Sequence, residues 1–344
     1  MTAVLPPPAA LMDCHSPEDT LRASDGFFDA LRRADAQHAV DLAIGLVERG
    51  APAERVLLDL VAPAQERVGR LWQSGQWSVA QEHAATCINE HVVAAVGAAT
   101  RGRGDRGLVV LGCLDGEWHT LPARIVSEVL RLHGWRVTFL GPSVPSAHLI
   151  AYLHEHGPDI VAVSGALPIH LPTAHQTIAA ARRTGTPVLA GGPGFGAGGR
   201  WAHRLGVDAW AGSATEAVEL LGRQPWPPPR PAPAVPGAVE YAALRERRGE
   251  LVAAGVPHLL AGYVDAERAA EAEDDVTHVV DFLAAAVYLG ECDLFGEFLT
   301  WSVAVLRARD TPVTGLAAML ADLRTRLHDF PVARSCLDLG RTIR

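Results

Sequence analysis

The sequence predicts an α/β domain with a doubly wound parallel sheet, placed between two all-helical regions. Between residues 105 and 222, five short apolar runs of strand character alternate with segments of helical periodicity, which is typical of parallel strands joined by crossover helices. Residues 25–100 and 240–344 instead repeat apolar residues at helical spacing. A Pro-rich stretch, residues 223–239, separates the second helical region from the α/β domain and predicts a semi-rigid linker.

The first helical region follows residues 1–24, for which we expect a flexible N-terminus. Successive blocks of apolar residues at helical spacing then predict a bundle of about four helices. Gly50 and Pro52 separate two of them, because Gly favours a helix end and Pro a helix start. Ser78 and Gln81 form a capping-box pattern, which predicts a helix running from there to about Ala98.

The two later regions are predicted from their apolar patterns in the same way. The strand-like runs are residues 108–111, 137–140, 160–164, 187–190 and 207–210. Beyond the linker, apolar stripes predict helices at residues 241–253, 257–271, 275–289, 294–309 and 313–328. Gly255, Gly290 and Pro312 are the expected breaks between these helices.

Composition excludes several classes of function. The 344 residues carry a formal net charge of −9 and no dense Lys/Arg run, which argues against direct binding of DNA or RNA. No apolar run reaches the roughly 18 residues that span a bilayer. Residues 2–12 lack the pattern of a signal peptide, so we expect a cytoplasmic protein without membrane contact. The five cysteines are spread singly, so we expect unpaired thiols and neither a disulfide framework nor a zinc site.

A candidate metal ligand follows the first predicted strand. Glu117-Trp118-His119 places a carboxylate two residues before a histidine. A carboxylate that binds one ring nitrogen orients the imidazole and leaves the other nitrogen available to a metal. Ligands bind at the carboxyl ends of parallel strands, where this segment lies. The alternative is a loop histidine at the start of a helix.

Small residues end the third and fourth predicted strands. Ser164-Gly165-Ala166-Leu167 follows one, and Gly191-Gly192-Pro193-Gly194 follows the next. Small residues at neighbouring strand ends leave a slot in which a bulky group can lie against bare backbone, and the Ser164 hydroxyl would point into it. A phosphate-binding loop is the alternative for the glycine-rich run, but the Lys-Ser/Thr of a Walker loop is missing.

These three elements together resemble the cobalamin-binding domain of methionine synthase and its relatives, a Rossmann- or flavodoxin-like domain, over residues 107–222. The resemblance implies that His119 is the lower cobalt ligand, that Glu117 is its hydrogen-bond partner, and that the nucleotide tail of cobalamin lies beside the sheet. The cofactor-binding residues that it implies in the α/β domain are Glu117, Trp118, Ser164, Ala166, Leu167, Gly191, Gly192, Pro193 and Gly194. The chain departs from the family pattern at Pro122, where the family has Gly, and at Ala166, where it has Leu.

Trp72, followed ten residues later by Glu82-His83, resembles a pattern of light-sensing cobalamin proteins of the CarH/LitR type. That resemblance implies a helical bundle that caps the upper corrin face, with Trp72, Glu82 and His83 around the adenosyl group of adenosylcobalamin. The chain has Gln73 where DNA-binding members have a second histidine ligand, and their DNA-binding domain is not recognised. The alternative is a core Trp72 and a solvated helix start.

The last helical region resembles the second domain of photocobilins, which bind a bilin as well as cobalamin. The resemblance implies a non-covalently bound bilin such as biliverdin, because no cysteine is well placed for attachment. The residues that could hold its charged arms and pyrrole rings are His258, Tyr263, His278, Trp301, Arg307 and Arg309. A dimerisation or partner-docking bundle is the alternative for this region.

We therefore expect a light or cofactor sensor and no enzyme. In this hypothesis, light breaks the cobalt–carbon bond of adenosylcobalamin, and the cap repacks and changes association with a second copy or a signalling partner. The alternative is a corrinoid methyl-carrier protein of a methyltransferase system. A radical mutase is excluded, because no repeated βα pattern long enough for a substrate barrel is present.

Overall fold

A computed structural model describes residues 17–100, 102, 104–223, 226, 233–261 and 266–342. They form three units, which are an N-terminal helical cap, a five-stranded α/β domain and a C-terminal helical module. The predicted combination of an α/β domain with two helical regions is confirmed. None of the helices in these ranges is both long and apolar enough to cross a membrane.

The cap is a helical bundle, as predicted. Its elements are α1 (Pro17–Arg32), α2 (Ala36–Glu48), the short α3 (Ala53–Arg55) that continues through a π-helical turn (Val56–Val61) into α4 (Ala62–Gln73), and α5 (Val79–Ala99). The capping box is present, since Ser78 Oγ accepts from Gln81 N while the Gln81 side chain accepts from Ser78 N. α1 already begins inside the stretch expected to be flexible, and residues 1–16 of that stretch lie outside the described residues.

The α/β domain alternates strands and helices as predicted. Its elements are β1 (Leu108–Cys113), α6 (Leu121–Leu132), β2 (Arg136–Phe139), α7 (Ser146–His156), β3 (Ile160–Ser164), α8 (Leu171–Arg183), β4 (Val188–Gly191), α9 (Arg200–Leu205), β5 (Ala209–Ala211) and α10 (Ala214–Leu221). All pairs are parallel and the order is β2-β1-β3-β4-β5. The chain changes direction across the sheet between β1 and β3, so the crevice at their carboxyl ends is where such sheets bind ligands.

The cap packs against the α/β domain through α6. Leu121, Ile125 and Val129 on α6 are buried in the same apolar cluster as cap residues such as Phe27 and Val92. Because α6 directly follows the loop after β1, the cap is positioned next to the candidate ligand loop.

The C-terminal module contains six helices within the described ranges. They are α11 (Ala238–Glu246), α12 (Arg248–Leu260), α13 (Ala266–Leu289), α14 (Cys292–Ala308), α15 (Thr314–Arg326) and α16 (Pro331–Asp338), followed by a short 3-10 turn (Leu339–Thr342). Of the predicted linker, residues 224–225 and 227–232 lie outside the described residues, and α11 already begins at Ala238. α16 was missed by the sequence prediction.

Two predicted helix breaks are wrong. α12 continues through Gly255 and Pro257, and α13 is continuous where a break between residues 271 and 275 was expected. A Cβ at Gly255 would lie 2.6 Å from Val276 Cγ1 and 3.0 Å from Met319 Sδ. Gly255 therefore allows close packing of α12 on α13 and α15, and does not end a helix.

The expectation of five unpaired thiols is also wrong. Cys292, at the start of α14, and Cys336, on α16, form a disulfide across 44 residues of sequence. Cys87 and Cys113 are free. Only the packing of α14 against α16 brings the two Cα atoms within 4.6 Å, which the spacing of cysteines along the chain does not reveal.

The C-terminal module shares one apolar core with the α/β domain. α13 packs on the turn Pro168–His170 and on α8, and buried residues of both units belong to a single cluster. His175 Nδ1 on α8 lies 2.7 Å from the Tyr288 hydroxyl on α13. Ion pairs between Arg204 and Glu291 and between Arg200 and Glu297 add further links at the surface. The module is therefore fixed to the sheet.

Candidate functional site

The candidate site lies in the two loops that follow β1 and β3. The Glu117 carboxylate is buried between them, with 1% of its side chain exposed. Glu117 Oε1 accepts from His119 N at 2.9 Å and lies 2.6 Å from His119 Nδ1, while Oε2 accepts from the backbone N–H groups of Ala166 at 2.7 Å and Leu167 at 3.1 Å. One carboxylate thus joins both loops at the point where the strand order reverses, between β1 and β3.

The electrostatics of this pair determine which nitrogen of His119 is available. Burial raises the pKa of Glu117, but hydrogen bonds from the His119 side chain and backbone outweigh it and lower that pKa to about 2. The same hydrogen bond to Glu117 raises the pKa of His119 despite burial. An ionised carboxylate can only accept, so Nδ1 carries the proton. With 57% of the His119 side chain exposed, Nε2 is the nitrogen left for a ligand.

Two neighbours of this pair complete the loop. Trp118 is exposed on 71% of its surface directly beside His119. His170, which sequence reasoning missed, lies against Gly116, where a Cβ would be 2.9 Å from His170 Nδ1. Gly116 also has φ +86°, so glycine is required there both for the turn and for contact with the histidine. Nothing in the sequence near His170 indicates this position.

The predicted small residues meet at the carboxyl ends of β3 and β4. Ser164 pairs with Gly191 in the sheet register. Gly165 N donates to Gly191 O at 3.1 Å, and Gly194 N donates to Gly165 O at 2.9 Å. A Cβ at Gly192, which has φ +102°, would lie 2.4 Å from Gly165 O. These loops therefore approach each other backbone to backbone, and the slot for a bulky group stays a prediction.

Glu82 and His83 are the fourth and fifth residues of α5, on the cap. Glu82 Oε2 lies 2.5 Å from His83 Nδ1, and 75% of the His83 side chain is exposed. After Glu117, the Glu82 charge also contributes to raising the pKa of His119. The carboxylate on the cap therefore lies within electrostatic range of the candidate ligand on the α/β domain.

A polar network behind Glu82 was not foreseen. Thr86 Oγ1 donates to Glu82 Oε1 and Gln65 Nε2 donates to Thr86 Oγ1, both at 2.7 Å, and the buried Asn89 donates to Gln65 Oε1 at 2.8 Å. The network joins α4 to α5 and orients the Glu82 carboxylate. Its sequence signature is a polar stripe at positions 82, 86 and 89, the spacing of one helical face.

Trp72 lies in the last turn of α4, and its ring is contacted from outside the cap. The guanidinium of Arg309, at the end of α14, lies 5.2 Å from the centre of the Trp72 ring, and Arg309 Nη2 donates to Trp72 O at 2.9 Å. Within the described part of the chain, no hydrogen bond or ring contact joins Trp72 to Glu82 or His83.

The described residues that were predicted for a bilin lie on α12, on α13, and on α14 and its C-cap. Arg309 lies on Trp72, whereas His258 Nε2 is 3.4 Å from an Asp322 oxygen. Trp301 is 41% exposed and packs beside Phe298 at 6.1 Å between ring centres. The other candidates are His278, exposed on α13, Arg307, exposed on α14, and Tyr263, which lies outside the described residues.

Comparison with known proteins assigns the first two units. Residues 107–222 and residues 23–96 each match a family model described as a B12 binding domain. The chain contains B12-binding domains. Their limits coincide with the α/β domain and the cap, and neither model extends into the C-terminal module.

Relatives of this B12-binding region agree with that assignment. A corrinoid protein of Desulfitobacterium hafniense (strain Y51) is 26% identical over 210 residues, which cover 57% of this chain and 95% of the relative. The HTH-type transcriptional repressor CarH of Myxococcus xanthus is 30% identical over 165 residues, covering 47% of this chain and about half, 54%, of the repressor. The structure of the monomethylamine corrinoid protein of Methanosarcina barkeri aligns with a TM-score of 0.53 at 17% identity, over 58% of this chain and 97% of that one, and shows the shared fold.

Proposed function

We propose that the chain binds cobalamin, with Nε2 of His119 as the lower cobalt ligand. The observation that carries the proposal is the Glu117 carboxylate, which holds the proton on Nδ1 and ties His119 to the loop after β3. A corrinoid supplies four ring nitrogens to its cobalt, so the protein needs to supply only one further ligand, and one imidazole is sufficient. Within the described residues no cluster of three or more His, Cys, Asp or Glu side chains is arranged to hold a free metal ion. The cobalt of a corrinoid needs no such cluster, because the corrin ring already holds it.

The chain's own residues have distinct roles in this proposal. Glu117 keeps the imidazole in one tautomer and raises its basicity, as acidic partners of metal-bound histidines do. The glycines of the β3 and β4 loops and Ser164 would line the place for the nucleotide tail. Glu82 and His83, which lie on the cap, would line the other side of the bound cofactor. Bound cobalamin would supply a cobalt that holds a methyl or adenosyl group through a cobalt–carbon bond, which a partner enzyme or light could break.

Absorption spectroscopy tests the lower ligand. Ligand-free protein titrated with hydroxocobalamin or adenosylcobalamin in the dark should give the spectrum of a histidine-ligated cobalamin. His119→Ala should lose that spectrum, whereas His148→Ala, which removes an exposed histidine on α7, should keep it. A histidine-ligated spectrum in His119→Ala would overturn the assignment.

The first candidate role for the cobalamin is transport of a methyl group for a methyltransferase. Its support is that several relatives are named as corrinoid proteins, among them dimethylamine corrinoid protein 3 of Methanosarcina mazei, 29% identical over 117 residues, which cover 33% of this chain and 68% of that protein. A partner enzyme would load and unload the cobalt, and the chain itself would catalyse nothing. We expect protein-bound methylcobalamin to form when the cobalamin-loaded chain is mixed with a methyl donor and a methyltransferase that uses corrinoid proteins.

The second candidate role is a light response through adenosylcobalamin. It is supported by the spacing of Trp72 and Glu82-His83 and by the similarity to CarH. Green light on the dark-loaded protein should change its absorbance and its oligomeric state or partner binding. If neither property changes while a methyl donor loads the cobalt, the chain is a carrier and not a sensor.

A bilin in the C-terminal module is a separate proposal. The exposed Trp301 ring beside Phe298 offers it an apolar surface. Biliverdin added to the cobalamin-loaded protein should acquire a red-shifted bound spectrum that Trp301→Ala weakens. An unchanged biliverdin spectrum would leave the module with a structural or docking role.

A further inference from the structure

Arg309 of the C-terminal module contacts the cap segment Trp72–Gly75. Arg309 Nη2 donates to Trp72 O, and its guanidinium lies over the Trp72 ring. A Cβ at Gly75, which has φ +70°, would lie 3.2 Å from Arg309 Cγ. The Arg309 side chain therefore contacts the Trp72 carbonyl, the face of the Trp72 indole and Gly75.

This contact is favourable for three physical reasons. Trp72 O already accepts from Gly75 N at 3.0 Å in the turn that ends α4, and its second lone pair accepts the charge-assisted hydrogen bond from Arg309. A cation at a helix C-terminus also interacts favourably with the helix dipole. A guanidinium over an indole ring adds a cation–π attraction.

Arg309 is itself held in place. It caps α14, with its backbone N–H bonded to Val305 O and Leu306 O, and Thr311 N bonds back to Leu306 O at 2.8 Å. Asp310 adopts φ +52°, which turns the chain out of the helix directly after Arg309. The side chain thus starts from a fixed backbone position.

The same module is anchored on the lower side of the site. α13 packs on the turn Pro168–His170, which follows directly after Leu167, a donor to Glu117. The module therefore contacts the cap at Trp72 and the α/β domain beside the His119 loop, and bridges the two sides between which the proposed cofactor lies.

We propose that Arg309 is the positioning residue for Trp72, so that the C-terminal module determines where the cap places this indole over the upper face of the cofactor. This inference rests on the proposed cobalamin site. With Trp72 fixed in the proposed site, the indole would limit the size of the group that the cofactor can carry on the side of the cap. Without Arg309, the Trp72–Gly75 segment moves and this limit weakens.

Hydrogen exchange of the full-length, ligand-free chain tests the anchoring step. Arg309→Gln should speed exchange of amides in residues 71–78 by about fivefold, the factor expected from loss of one cation–π contact. Arg309→Lys keeps a cation that can donate to Trp72 O and should restore part of the protection. The matched control is Arg334→Gln, which removes a bond from a guanidinium to a backbone carbonyl, His328 O, inside the module. Equal exchange in wild type and Arg309→Gln would overturn the inference.

Cobalamin binding tests the positioning step. The ratio of the Kd values for adenosylcobalamin and methylcobalamin should shift by about fivefold in Arg309→Gln, return towards wild type in Arg309→Lys, and stay constant in Arg334→Gln. An unchanged ratio despite faster exchange would mean that Arg309 only stabilises the loop, and would overturn the positioning role. If wild type binds neither cobalamin, the proposed function fails, and the exchange result alone still decides whether Arg309 holds Trp72.

Discussion

Replacing Glu117 by Gln is expected to lower the free energy of unfolding of the ligand-free protein by about 3 kcal/mol at pH 7. The carboxylate accepts from His119 N, His119 Nδ1, Ala166 N and Leu167 N. Only one end of an amide accepts, so the other end turns N–H groups towards two of these donors. Leaving two donors unsatisfied costs about 1 to 3 kcal/mol each.

The lowered pKa of Glu117 gives a similar value for the free energy by which its carboxylate stabilises the fold. A shift from 4.5 in the unfolded chain to about 2 in the folded protein corresponds to about 3 kcal/mol. Because the folded pKa is the lower one, this stabilisation is complete well above the unfolded value of 4.5 and is lost as pH falls towards about 2. About 2 kcal/mol of it should be gone at pH 3. The contribution of His119 to the free energy of unfolding depends on pH in the opposite direction, since its pKa is raised in the folded state. That contribution is present below pH 6.5 and declines as pH rises through the raised pKa.

Urea denaturation of both proteins between pH 7 and pH 3 measures these effects. The difference between wild type and Glu117→Gln should be largest near neutral pH and should shrink in acid. The control is Glu250→Gln, which removes an exposed carboxylate paired with Arg247 on the surface of α12 and should leave the denaturation midpoint nearly unchanged. A Glu117→Gln midpoint equal to that of wild type at pH 7 would refute the role of the carboxylate as the link between the two loops.

Two further predictions concern the backbone approach and the disulfide. Gly192→Ala should destabilise the protein by about 2 kcal/mol or more and weaken cobalamin binding, because its Cβ would lie 2.4 Å from Gly165 O at a positive φ. The matched control is Gly69→Ala inside α4, where an added Cβ would meet no neighbouring side chain or loop within 4 Å. This variant should instead gain up to about 1 kcal/mol of stability in the same urea experiment. Reduction of the disulfide between Cys292 and Cys336 should lower stability by about 2 to 4 kcal/mol, and identical thermal unfolding with and without dithiothreitol would argue against the bond.

The sequence predicted the α/β domain well because its strands are short and apolar and the three central strands, β1, β3 and β4, are mostly buried. β1 and β3 begin and end within two residues of their predicted limits. β5 was placed two residues early at its start, since Val207 is buried and apolar without joining the sheet. Local composition thus reports burial reliably, whereas the register of a strand depends on its neighbour.

The C-terminal module was predicted less accurately because tertiary packing overrides its local signals. Gly255 and Pro257 normally favour a helix end, but α12 continues because the glycine allows contact with Val276 and Met319. The disulfide and the contact between Arg309 and Trp72 join residues 44 and 237 positions apart. Spacing along one chain contains no information on such pairs.

The candidate site could be predicted where it depends on neighbours in sequence. Glu117 and His119 are two residues apart, and their contact follows from that spacing. The two backbone donors from the β3 loop could not be foreseen, because they are 49 and 50 residues from Glu117. His170 and Gln65 reach the site only through the fold, and no motif identifies them.

Both departures from the family pattern are explained by backbone geometry. At Ala166, Glu117 uses the backbone N–H and not the side chain, so a smaller residue than the Leu of the family keeps the bond. Pro122 is the second residue of α6, in the first turn, where a helix has no intrahelical acceptor for the N–H that proline lacks. Its fixed φ also suits the helix start, so it holds α6 and the preceding loop in one orientation. The proline therefore stiffens the segment that carries His119, at a position where the backbone hydrogen bond of Glu117 already limits its movement.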